Sequence, residues 1–375
     1  MRLVAVLAAV FAAALVAAAA ASAAPPGVRA EAYLVQNAAT GEVLASRHAG
    51  ERVPIASITK LMTVLVVLER ASLDDVVTVT KRAADVGEST INLEPGERIT
   101  VADLVRAALI QSANDAAVAL AVHVGDGSVR RFVALMNAKA RRLGLADTHF
   151  ANPDGLDAPG HVSSARDVTR LARIAMRNPF VRATVRRSAA SISGGRSLRT
   201  WNDLLAGFPS LIGVKTGHTD GAGWSEVAAA RGPGVTIYAT LLGGPSRARR
   251  NDDLSALLAW GLSRYRTVAA VDGARVYATA RTPYGRPAVP LVAERPLLRV
   301  VHVGRPLVER VVAPVEVSLP VRRGERLGEV RVYAGGKLIA GVPLVAARSV
   351  EKPAWRDQAE WYAGRTFHHL WGLVS

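Results

Sequence analysis

Along the chain the spacing of apolar positions changes period several times, and those changes predict its elements before any motif is considered. Ala32-Tyr-Leu-Val-Gln-Asn and Ala39-Thr-Gly-Glu-Val-Leu-Ala read as two strands around a Thr-Gly turn, the start of an antiparallel sheet. Over residues 57–70 the period becomes helical, with Leu61, Val64, Leu65 and Leu68 on one face and Ser57 at the head. A second helical region covers residues 103–124 and is interrupted near Ser112. Residues 130–143 and 164–177 are two more, the latter opened by Ser163 or Ser164. Residues 212–216 and 223–242 return to strand-like runs, and a helix over 252–263 closes the region. Strands at both ends with helices between predict an α/β domain whose first and last strands share one sheet.

From about residue 266 the texture shortens to alternating runs: Arg275-Val-Tyr-Ala, Val315-Glu-Val-Ser-Leu319 and Glu329-Val-Arg-Val-Tyr333, with Gly335-Gly336 as a hairpin turn. This predicts a smaller all-β C-terminal domain over residues 265–350, structural or spacing in role, because no constellation of catalytic residues falls in it. The tail, 351–375, projects Ala359, Tyr362, Ala363, Phe367, Leu370 and Val374 onto one helical face and Arg365, His368 and His369 onto the other. Two readings stand for 355–375: a helix lying in a membrane interface, or a terminal helix docked on its own domain.

Composition adds a compartment. Residues 1–23 carry one charge, Arg2, then an apolar run over 3–21 and Ala21-Ser22-Ala23, a small-x-small cleavage pattern. We read a signal peptide on an exported, extracytoplasmic precursor, ahead of an uncleaved anchor. The first domain then spans 24–264. There is no cysteine, so packing alone must stabilise the fold. A net charge of +16 favours anionic surfaces such as lipid headgroups or acidic wall polymers. Nucleic acid is not expected as a partner, because the basic residues are scattered and the chain is exported.

Three polar motifs carry the chemistry: Ser57-Ile-Thr-Lys60, Ser112-Ala-Asn114 and Lys215-Thr-Gly217. Ser-x-x-Lys recurs from Ser349 to Lys352, where no partner motif follows. Only six lysines stand among 47 basic residues, and two of the six fall in these motifs. Lysine is needed where a cation must lose its proton, since arginine cannot. Helical spacing puts Ser57 and Lys60 one turn apart, as nucleophile and base. Burial and a second cation, Lys215, would lower the Lys60 pKa. Ser112 suits a proton relay, and the Asn114 amide suits a substrate carbonyl. Gly217 lets an extended substrate lie along a strand edge beside Thr216, and the backbone N–H groups of Ser57 and His218 could form an oxyanion hole.

With these motifs the chain resembles the low-molecular-weight penicillin-binding proteins, D-alanyl-D-alanine carboxypeptidases of the serine penicillin-recognising superfamily. The similarity extends through Pro54-Ile-Ala-Ser57-Ile-Thr-Lys-Leu-Met-Thr63, Ile110-Gln-Ser-Ala-Asn-Asp-Ala117, Asn152-Pro-Asp-Gly-Leu-Asp157, His161-Val-Ser-Ser-Ala-Arg-Asp167 and Gly213-Val-Lys-Thr-Gly-His-Thr-Asp220. Ala113 stands where the family often has glycine. The resemblance implies an antiparallel sheet flanked by helices with a helical subdomain, β-lactamase/transpeptidase-like, then a β-rich domain and often a membrane-binding tail. It implies removal of the terminal D-alanine from peptidoglycan stem peptides through an acyl-enzyme on Ser57, with β-lactams as covalent inhibitors and no metal or cofactor. An arginine at the start of the closing helix would hold the substrate carboxylate; counting back from Leu257-Leu-Ala-Trp-Gly261 gives Arg250, with Arg247 and Arg249 as neighbours. A class A β-lactamase would need a glutamate to activate water, and none lies between Glu97 and Glu226. An inactive wall-binding relative is the other alternative, disfavoured because every proposed reacting residue is present.

Overall fold

The computed structural model describes residues 12–14 and 24–371. The expected signal peptide therefore lies outside the described residues except for Ala12–Ala14, as does Val374 of the tail. Two compact units result, one from Ala24 to Arg264 and one holding Ala12–Ala14 with everything from Tyr265 onward.

In the first unit, β1 (Ala32–Asn37) and β2 (Val43–Arg47) form the expected hairpin. Its turn depends on Asn37, whose Oδ1 accepts from the N–H of Ala39 at 2.8 Å and of Thr40 at 3.2 Å. The helices follow: α1 (Lys60–Val67), α2 (Val101–Ile110), α3 (Asn114–Val124), α4 (Val129–Arg142) and α5 (Ala165–Ala175). Short hydroxyl caps start three of them. Thr100, Ser128 and Ser164 accept from the N–H three residues on. Every residue of α1 is buried, so this helix is the centre of the helical layer rather than its surface. Its Leu61 and Met62 share one buried core with Leu104, Leu120, Phe132 and Met136 of the neighbouring helices. The expected helix from residue 57 is in fact a 3₁₀ turn, Ala56–Thr59, that tightens into α1 at Lys60.

The chain then returns to the sheet as β3 (Leu211–Thr219), β4 (Gly223–Gly232) and β5 (Val235–Gly244), and ends in α6 (Arg247–Ser263). Strand order is β2-β1-β5-β4-β3, antiparallel throughout, so β1 and β5 pair from Ala32↔Leu242 to Asn37↔Ile237. Helices cover both faces. On one, Gly261 of α6 approaches so closely that an added Cβ would lie 2.8 Å from Ile237 Cγ2. On the other, Thr169 of α5 shares a 2.6 Å hydrogen bond with Thr240. Two-sided burial explains why β4 and β5 read as long apolar runs without clean alternation.

The second unit is built on a sheet in which Leu307–Val312, Arg326–Ala334, Lys337–Ala346, Val289–Ala293 and Val276–Ala280 lie side by side in that order, with Ala12–Ala14 on the outer edge of the first. Gly335 and Gly336 both take positive φ, 55° and 78°, as a two-residue hairpin turn requires. The expected strand at Val315-Glu-Val-Ser-Leu319 is corrected: Pro314 and Pro320 flank it, and its pairing is a single bridge, Arg281↔Glu316. Prolines cannot donate to a ladder, so pairing cannot spread. The tail helix, Trp355–Trp371, packs Trp361 and Tyr362 edge-on against Tyr284, at 5.5 and 5.9 Å between ring centres.

Candidate active site

Ala56 holds a left-handed conformation, φ 47°, immediately before Ser57. Such strain in a non-glycine residue persists only where its surroundings fix it. They do so from two sides. Gly217 of β3 lies against the turn, where a Cβ would sit 2.8 Å from the Ile55 carbonyl oxygen and 3.1 Å from the Ser57 nitrogen. Gly155, at φ 92°, closes from the other side, where a Cβ would fall 2.0 Å from the Ala56 carbonyl oxygen. Gly217 is thus needed for β3 to reach the serine turn, a packing reason beyond the expected access for substrate.

Lys60 begins α1 one turn after Ser57, and its Nζ lies 2.7 Å from Ser57 Oγ, 2.7 Å from Asn114 Oδ1 and 2.6 Å from the Asp154 carbonyl oxygen. Asn114 is oriented by its own Nδ2, which donates to the Gly87 carbonyl at 3.0 Å. Two of the three Lys60 partners can only accept. In the neutral amine they take both N–H groups, so the lone pair faces the serine hydroxyl. Burial pushes the Lys60 pKa down to about 8, against the pull of Asp154, Glu88 and Asp115. At pH 7 about one molecule in ten then carries the neutral amine. Of the two expected causes, burial and the charge of Lys215, desolvation of the wholly enclosed side chain is the leading one.

Ser112 interrupts the helices as expected, in a left-handed conformation with φ 65°. Its Oγ accepts from Lys215 Nζ at 2.8 Å, and the same ammonium donates to the Thr216 carbonyl at 2.9 Å. Lys215 is displaced well below its ordinary pKa, first by burial and then by Lys60, while Glu226 opposes.

The 152–157 segment ties these parts together. Thr63 Oγ1 donates to the Pro153 carbonyl, Lys60 to that of Asp154, and Asp157 accepts from Thr219 Oγ1 and the Gly221 N–H at the end of β3. Behind it, His161 accepts from the Ala151 N–H through Nδ1 and meets Thr59 Oγ1 through Nε2, and burial pushes its pKa down to about 4. Gly155→Ala should therefore lower the melting temperature by about 5 °C or more, as a cost of at least ~2 kcal/mol, and slow acylation in the same variant. Thermal melts with a penicillin-labelling time course check both.

These groups open on a cavity of about 240 Å³ lined by Ser57, Ser112, Asn114, Thr216, Gly217, His218, Arg247 and Arg250. Trp201, Trp224, Glu88 and Ser89 complete it, and none of these four was singled out in the sequence. His218 stacks on Trp224 with 3.9 Å between ring centres. Of the three arginines left open, Arg249 turns away to Asp253 at 2.9 Å. Arg247 is held by Asp203 through two hydrogen bonds and lies over Trp201. Arg250, 1 % exposed, pairs with the fully buried Glu226 at 3.2 Å. Burial pushes the Glu226 pKa up to about 7 against Arg250 and Lys215.

A serine held by a buried lysine, beside a second serine–lysine pair at the edge of a helix-covered antiparallel sheet, defines a serine penicillin-recognising peptidase. The comparisons narrow the class. The family model for D-alanyl-D-alanine carboxypeptidase matches residues 19–246, and that for the C-terminal domain of penicillin-binding protein 5 matches residues 266–352. The chain belongs to the D-alanyl-D-alanine carboxypeptidase family. It is 33% identical to the D-alanyl-D-alanine carboxypeptidase DacD of Salmonella typhimurium over 88% of each chain. Penicillin binding protein 5 from Haemophilus influenzae superposes with a TM-score of 0.64 at 28% identity, covering 88% of this chain and 99% of that one. The Streptomyces K15 DD-transpeptidase gives 0.61 at 32%, covering 64% and 99%. The protein is a serine-type D-Ala-D-Ala carboxypeptidase of peptidoglycan metabolism that binds β-lactams. Neither the lactamase nor the inactive alternative is favoured.

Proposed function

We propose that Ser57 is the nucleophile and Lys60 its base, carried by one observation: the acceptor-only partners of Lys60 leave its lone pair for the Ser57 hydroxyl. Ser57 Oγ attacks the carbonyl carbon of the penultimate D-alanine as its proton passes to Lys60 Nζ. The backbone N–H groups of Ser57 and His218 hold the oxyanion, and Asn114, which still has one amide hydrogen to give, binds the substrate carbonyl. Collapse breaks the peptide bond, and Ser112, hydrogen-bonded to Lys215, relays a proton to the departing amine. Water then hydrolyses the ester and restores Ser57. Thr216 and Arg250 hold the terminal carboxylate in the ground state. D-Alanine release from a peptide ending in D-Ala-D-Ala should vanish in Ser57→Ala; residual release above background would refute the assignment.

The mature enzyme works outside the cytoplasmic membrane and is held on its outer face by residues 355–375. Supporting this, Trp355 and Tyr362 are 73% and 56% exposed on the tail helix. Among the described residues no helix is long and apolar enough to cross a membrane, so the contact would be peripheral. Opposing it, Trp361 packs on Tyr284. In a sedimentation assay with anionic vesicles at low salt, the full chain should pellet and a version ending at Val350 should not, with the difference fading as salt rises. Equal solubility would make the tail a docked structural helix.

A further inference from the structure

A second cavity in the first unit, about 500 Å³, shares no residue with the active site. Its wall brings together Arg173 and Arg177 from α5 and the turn beyond it, Arg182 from the short helix Pro179–Thr184, Arg231 from β4 and Tyr238 from β5. Four guanidiniums in one concavity repel one another, and a folded protein ordinarily meets such charge with carboxylates. Elsewhere in this unit it does so, in Arg196–Glu97, Arg247–Asp203 and Arg106–Asp103. None of these four has a carboxylate within ion-pair distance among the described residues.

Two of them are nevertheless fixed. Arg173 donates to Gln36 Oε1 at 3.0 Å and to the Ala38 carbonyl at 2.6 Å, and Arg182 donates to the Met176 carbonyl at 3.0 Å. Neutral acceptors aim these cations without cancelling their charge. Arg177 and Arg231 are exposed and stand at the mouth as movable arms. Tyr238 is 5% exposed and lines the same cavity. Burial pushes its pKa up to about 12, so its hydroxyl remains a donor.

We propose that this cradle binds a phosphate or diphosphate group. A carboxylate offers one charge and two oxygens to four cations, whereas phosphate oxygens carry more charge and can accept several guanidinium forks together. The group could belong to a phospholipid headgroup or to a soluble phosphate compound.

The test is isothermal titration of the purified protein with inorganic pyrophosphate at low salt, for the parent, Arg177→Ala/Arg231→Ala, and a control, Arg130→Ala/Arg141→Ala, that removes the same charge from exposed positions of α4. Saturable one-site binding is expected, weakened at least tenfold in the cradle variant and less than twofold in the control, with D-alanine release unchanged in both. Melting curves confirm that both variants are folded. Absence of saturable binding to the parent, or equal loss in both variants, would overturn the proposal. Vesicles of anionic phospholipid then separate the sources. If pyrophosphate displaces bound protein from them in the parent but not in the cradle variant, the site takes a headgroup; if displacement is alike in both while the calorimetric site persists, it takes a soluble phosphate.

Discussion

Lys60→Arg should keep the positive charge and still lose about 10³-fold or more of the acylation rate. The reason lies in the proton inventory. An amine at this position can give up a proton and present a lone pair to Ser57 Oγ at 2.7 Å, and a guanidinium cannot. The parent enzyme should show the corresponding pH dependence. Below a Lys60 pKa of about 8 the ammonium has no lone pair, so kcat/KM for acylation should rise about tenfold per pH unit and level off above it. Stability follows the same titration. The folded pKa lies below the ordinary lysine value of 10.5, so the unfolded chain holds the extra proton between the two, and stability rises with pH across that window. Below pH 8 the burial penalty is fully present, about 3 kcal/mol. A stopped-flow pH profile of penicillin acylation on both proteins decides the kinetic claim; a parent rate that is flat from pH 6 to 9, or an active Lys60→Arg, would remove Lys60 as the base.

Amidating the terminal D-alanine of the substrate should cost on the order of 1.5–3 kcal/mol, a fall of about 10- to 150-fold in kcat/KM, because a charge-assisted contact is lost. The structure reduces the candidates for that contact. Arg249 faces Asp253, and Arg247 is already neutralised by Asp203 in a two-bonded pair. Arg250 pairs with Glu226, whose own pKa is raised to about 7, and shares Asp203 with Arg247 at 3.6 Å, so near neutral pH part of its charge is left for a substrate carboxylate. As pH falls through 7, Glu226 gains a proton and Arg250 should hold the substrate carboxylate more tightly, lowering KM while the Lys60 titration lowers kcat. Arg250→Ala should reduce the acid-to-amide rate ratio towards one. Equal rates for acid and amide in the parent would eliminate carboxylate recognition.

Local chemistry was legible in the sequence because local geometry generates it. Ser57 and Lys60 meet through helical spacing, and Ser112 breaks a helical run where its backbone turns left-handed. That the first and last segments share one sheet followed from the order of elements; their direct pairing is what the structure adds. What escaped depends on distant segments meeting. The Asp154 carbonyl that helps aim Lys60 belongs to Asn152-Pro-Asp-Gly, which alone reads as an ordinary turn. Trp201 and Trp224 become walls only when the chain brings them to Ser57. Glu226 did leave a signal, a lone acid inside the apolar run of β4, where a fully buried charge demands a partner. Val315–Leu319 misled because its alternation is that of a strand while its flanking prolines prevent a ladder.

The assignment of Ser57 is tested most directly by treating the purified protein and Ser57→Ala with fluorescent penicillin and mapping the adduct by mass spectrometry. One adduct per molecule is expected on the peptide containing Ser57, with none on Ser57→Ala. An adduct on another serine, Ser112 above all, or undiminished labelling of Ser57→Ala, would contradict it.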